Sequence, residues 1–79
     1  MKEIIEKLST VTNELTKRIN GKVDFNFKNQ HIEIHLQSRG FNYSRKFHVK
    51  AFMDIPESII TDMLIKEYGK SILKSFINW

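Results

Sequence analysis

Asp24, His35 and Ser44 are the side-chain types of a charge-relay hydrolase, in which an acid orients an imidazole that takes a proton from a hydroxyl. His31 and His48 are a start towards a metal site, because neutral imidazole is a common ligand. Lys22, Lys28, Arg39, Lys46 and Lys50 are cations suited to phosphate, which needs point charges and hydrogen-bond donors. All of these lie between positions 22 and 50, so their chemistry depends on how that segment folds.

The segment alternates with period two. Val23, Phe25 and Phe27 face one way in residues 22–28, and Ile32, Ile34 and Leu36 do so in residues 31–37. Phe41, Tyr43, Phe47 and Val49 do the same in residues 41–49, where Arg45 is an inward-phased charge. Asn29-Gln30 is the length of a two-residue hairpin loop, and Arg39-Gly40 is the next turn. Closing these hairpins at Lys28–His31 and Ser38–Phe41 predicts inner rows Phe27–Ile32–Phe47, Phe25–Ile34–Arg45 and Val23–Leu36–Tyr43. The outer rows are then Lys28–His31–His48, Asn26–Glu33–Lys46, Asp24–His35–Ser44 and Lys22–Gln37–Asn42. A one-residue slip would turn a whole strand over. The inward Arg45 must reach the rim or pair with Asp62 or Glu67, because a buried guanidinium needs a carboxylate.

Helices must cover the apolar face. Ile4, Leu8, Val11, Leu15 and Ile19 form one stripe, and Asn20-Gly21 ends that helix. Asp54-Ile55-Pro56-Glu57 reads as a helix start, with Asp54 as N-cap, Pro56 in the first turn and Glu57 at N3. Ile59, Ile60, Met63 and Leu64 cover one side of the helical region after Pro56; Tyr68, Ile72, Leu73, Phe76, Ile77 and Trp79 cover nearly the opposite side. The spacing predicts a kink or break at Gly69. The alternative is one continuous helix whose second apolar face contacts a second copy. The expected fold is α+β: a three-stranded antiparallel meander with helices on one face, in the order α-β-β-β-α-α, as one domain over 1–79.

The 79 residues carry a formal net charge of +4. Residues 1–19 contribute +1, residues 20–50 contribute +4 and residues 51–79 contribute −1, so the excess sits in the sheet. Cys is absent, which excludes disulfides, thiolate metal sites and cysteine nucleophiles. No apolar run reaches the roughly 18–20 residues of a membrane span, and no signal-peptide core is visible; a soluble, cytoplasmic protein is expected. At this length folding often needs tight packing or self-association, which keeps a homodimer in view.

An enzyme is not expected, because the row Asp24–His35–Ser44 would lie on an open sheet without an oxyanion hole. No cofactor is expected either, since Gly21, Gly40 and Gly69 are isolated and the His31–His48 pair lacks a third ligand. The reading is a small non-enzymatic binding module acting through the basic sheet face. Nucleic acid is the leading ligand, held by Lys22, Lys28, Arg39, Lys46 and Lys50, with His31, His35 and His48 as auxiliary donors. An acidic protein would suit the same surface. The competing class is a protein-interaction or inhibitor module, of the kind found among phage and mobile-element proteins, using the apolar C-terminal helix. There, Phe76, Ile77 and Trp79 contact a partner or second copy, or else Trp79 closes the core. The order α-β-β-β-α resembles, in topology, the double-stranded RNA-binding domain, which implies RNA binding. That family opens its last helix with a basic cluster and has a longer first hairpin loop, where this chain has Asp54, Glu57 and two loop residues.

Overall fold

The computed structural model describes residues 2–77. Helix α1 (Lys2–Ile19) leads into strands β1 (Lys22–Lys28), β2 (His31–Ser38) and β3 (Phe41–His48), followed by helices α2 (Val49–Asp54) and α3 (Glu57–Ile77). The strands form one antiparallel sheet in chain order, and the register is the predicted one at every paired position. The turns explain why it holds. Asn29 and Gln30 have φ of 51° and 63°, and Arg39 and Gly40 have φ of 52° and 82°. Two successive left-handed residues make the turn whose twist matches that of paired strands.

The core lies between the sheet and the helices. Ile32, Ile34 and Leu36 of the central strand are buried against Leu8, Val11 and Leu15 of α1 and Ile60, Leu64 and Tyr68 of α3. Arg45 pairs with Glu67 as expected, and the Tyr43 hydroxyl donates to the same carboxylate. The Arg45 hydrogen bond holds the Glu67 carboxyl below the usual carboxylate range. Burial, reinforced by the carboxylate, raises the Tyr43 phenol.

Several local expectations need correction. The chain leaves the sheet at His48, and Val49 begins a six-residue helix instead of extending the strand. A continued strand would place Phe52 on the outer face; the helical turn carries it into the core, fully buried, with its ring 5.8 Å from that of Phe47. Asp54 therefore ends α2 and does not cap α3, which starts on the Pro56 carbonyl, bonded by the N–H groups of Ile59 and Ile60 at 3.1 Å. Lys7, on the solvent side of the α1 pattern, instead donates to the carbonyls of Met53 and Ile55 and closes the C-terminal end of α2.

At the end of α1 the left-handed residue is Asn20, with φ of 51°. Gly21 is required there by close approach instead: a Cβ would stand 2.4 Å from the Gln37 carbonyl oxygen and 2.6 Å from Ser38 Cβ.

Helix α3 runs unbroken through Gly69. Ile60, Leu64, Tyr68, Ile72 and Phe76 follow one another at i+4, so the apolar stripe winds slowly around a single helix. Its first three members are buried, Ile72 is half-buried, and the Phe76 ring rests 5.7 Å from that of Phe41. The second apolar side, Leu73 and Ile77, stays exposed. Because nothing lies within 4 Å of a Cβ at Gly69, Gly69→Ala is expected to stabilise the protein by about 0.5–1 kcal/mol. A lower urea midpoint for this variant would show that α3 needs the glycine.

Candidate functional site

The face of the sheet away from the helices presents four rows. They place Lys28 beside His31 and His48, Asn26 beside Glu33 and Lys46, Asp24 beside His35 and Ser44, and Lys22 beside Gln37 and Asn42. Lys22, Lys28, Lys46 and Lys50 are exposed. At the sheet end, Asn26, Lys28, Asn29, His31, Glu33 and Lys46 line a shallow depression together with Phe27. Lys50 stands just beyond it, in the first turn of α2.

Charge pairing within this face is sparse. Glu33 lies opposite Lys46 in register, yet its carboxylate turns along its own strand to His35, with Oε1 3.0 Å from Nε2. Lys22 and Asp24 are 3.9 Å apart and both largely exposed, a contact of little energetic weight. Among the described residues, Lys28, Arg39, Lys46 and Lys50 have no carboxylate partner.

The two histidines facing each other are already engaged. Their rings meet edge to face with centroids 5.4 Å apart. His31 Nδ1 lies 2.8 Å from the Asn29 carbonyl, and a carbonyl can only accept, so Nδ1 carries the proton. His48 Nδ1 accepts from the Lys50 N–H at 3.1 Å and caps α2. The Nε2 atoms are not used in these contacts. No group of three or more His, Asp or Glu among the described residues is arranged to hold a metal ion.

The sequence-predicted cations separate into two sets. Lys28, Lys46, Lys50, His31 and His48 converge at the end where β1 turns into β2. Lys22 and Arg39 sit at the opposite end, Arg39 in the β2–β3 turn. His35 lies between them in the row of Asp24 and Ser44, but its Nε2 faces Glu33, so no acid–imidazole–hydroxyl relay forms. On the competing surface, Phe76 and Ile77 are exposed at the end of α3 beside Leu73, while Trp79 lies outside the described residues.

Strand phase missed one feature. Phe25 and Phe27 point to the helix side as predicted, yet they remain 42% and 39% exposed. Alternation tells which side a residue faces but not how far the helices reach across it. Comparison with family models, curated proteins and solved structures finds no match for this chain, so the functional reading rests on geometry. No helix among the described residues is long and apolar enough to cross a membrane.

Proposed function

We propose that this chain is a small non-enzymatic binding module whose open sheet face takes the phosphates of a nucleic acid. The observation that supports it is the cluster Lys28, Lys46 and Lys50 with His31 and His48, uncovered by any helix and without carboxylate partners among the described residues. Phosphate oxygens accept from the lysine ammonium groups and from the Nε2–H of His48, whose Nδ1 is the acceptor for the Lys50 N–H, and such contacts position a backbone without reading sequence. The Phe and Tyr side chains of the sheet are phased to its helix side, and among them Phe27 reaches the depression, so phosphate contacts carry this mode more than base stacking. Binding is directed at the sugar–phosphate chain.

Fluorescence anisotropy with a labelled DNA duplex, its RNA equivalent and a single strand tests this. About four phosphate contacts give a log–log salt slope near −3.6, so affinity falls roughly 100-fold between about 50 and 200 mM salt. Lys28→Glu/Lys46→Glu is expected to abolish binding, while Lys22→Glu weakens it less. Absence of binding at the lower salt, or a flat salt dependence, overturns the proposal.

A second reading draws on the exposed Leu73, Phe76 and Ile77, which suit a protein partner docking on the end of α3. If Phe76→Lys abolishes capture of a cellular protein while the lysine reversals leave it intact, the interface is α3 and not the sheet.

A further inference from the structure

Strand β1 forms one side of the sheet and, among the described residues, has no strand beyond it. In a hairpin with a two-residue turn, Lys28 and His31 exchange main-chain hydrogen bonds, and the ladder then alternates. Asn26, Asp24 and Lys22 therefore aim their main-chain groups at β2, while Val23, Phe25 and Phe27 aim theirs outward. Edge strands are normally blunted by proline, a bulge or a central charge on the buried side. The register of β1 is unbroken, it holds no proline, and its inner side is Val23, Phe25 and Phe27. It is an open, aromatic edge.

The adjoining flank of α1 is unusual in a chain with 28% charged residues. The opposite flank is occupied: Lys7 bonds to the end of α2, and Arg18 bonds Asp62 of α3 at 2.7 Å. Ile5, Ser9, Thr12 and Thr16 lie on the free flank, towards β1, and none is charged. The hydroxyls of Thr12 and Thr16 donate back to the Ser9 and Thr12 carbonyls at 3.2 and 2.7 Å, which satisfies them within the helix. Ile5 is 52% exposed.

We propose that β1 pairs antiparallel with β1 of a second copy, about a two-fold axis through Phe25, to make a continuous six-stranded sheet. This register is the one in which all of β1 overlaps. Val23 meets the counterpart of Phe27, Phe25 meets its own counterpart, and about six main-chain hydrogen bonds close from groups now aimed outward. On the outer side Asp24 meets the counterpart of Asn26, and only the terminal Lys22 and Lys28 face like charge. The two uncharged α1 flanks come to lie next to each other on the same side. A face about 24 Å long, from seven residues of strand, and about 20 Å deep, from a sheet plus a helix layer, gives roughly 500 Å² per copy. Roughly 1,000 Å² in total is the floor for a specific interface, which makes this a weak, concentration-dependent dimer. The pairing is independent of nucleic-acid binding and leaves the outer face uncovered.

Sedimentation equilibrium over a concentration series tests it, with a dimer expected at about 10–100 μM and tightened by salt, which screens the facing lysines. Phe25→Lys, with its fold checked by circular dichroism, is expected to be monomeric. Should that variant fail to fold, cross-linking keeps the test open. The chain has no native Cys, and facing positions of a hydrogen-bonded pair are about 5.5 Å apart, within disulfide reach. Oxidised Phe25→Cys is therefore expected to give a covalent dimer, and Ile77→Cys is not. A monomer throughout the series, or a dimer lost in Phe76→Lys and kept in Phe25→Lys, overturns the proposal.

Discussion

Truncating Phe52 to alanine is expected to lower the unfolding free energy by about 3–5 kcal/mol, the usual cost of a large buried aromatic. The whole stability of a domain of this length is about 4–12 kcal/mol, so the loss is a large share of it. The reason lies in α2. Six residues are too few to hold a helix by propensity, and Phe52 is the residue of that helix in the core. It packs on Phe47, and the Lys7 ammonium that closes α2 lies 5.4 Å from its ring centroid. Removing the ring leaves a cavity and frees the peptide carbonyls that Lys7 holds. A thermal midpoint lower by about 12 °C or more checks this, at roughly 4–8 °C per kcal/mol. A shift of only a few degrees would mean that α2 is peripheral to the cooperative unit.

Gly21→Ala is expected to cost about 3 kcal/mol, near the upper end of overpacking penalties. The atoms in the way are a main-chain oxygen and the Cβ of a paired strand residue, and neither can swing aside as the tip of a long side chain does. The α1–β1 junction must shift away from β2. Gly40→Ala provides the contrast: φ there is +82°, and nothing lies within 4 Å of a new Cβ. Its cost is the left-handed backbone alone, about 1–2 kcal/mol. Urea titration of the two variants separates steric from conformational demand, and equal losses would refute the close approach.

The sheet was legible because two independent signals agreed: the alternation of Val23 to Phe27 and Ile32 to Leu36, and two connections of hairpin length, in which Asn29 and Gly40 are suited to positive φ. Arg45 could be placed from its phase alone, since an inward cation next to an acid-bearing helix has few partners. Helix α2 escaped because six residues show no periodicity, and because Val49 continues the apolar alternation of β3. The break expected at Gly69 came from sorting apolar residues onto two sides. The i+4 chain from Ile60 to Phe76 crosses Gly69 and links them, and glycine without a Pro or a cap does not stop a helix anchored by Tyr68. Lys7 was hidden for another reason. A long stem lets an apparently solvent-facing ammonium reach carbonyls that only the tertiary fold brings near. Of the candidate interface, the residue set on the open face was legible. Its division into a dense end and a sparse end, and the turn of Glu33 away from Lys46, depend on twist and rotamer and carry no sequence signal.

The contact between Arg18 and Asp62 spans 44 residues of chain, whereas each strand pairs only with its immediate predecessor or successor. On a translating ribosome the meander can therefore zip as it emerges, but the oily stripe of the first helix waits for its helical partner. At about 5–20 residues per second that delay is roughly 2–9 s, and during it Leu8, Val11 and Leu15 have only the nascent sheet to shelter them.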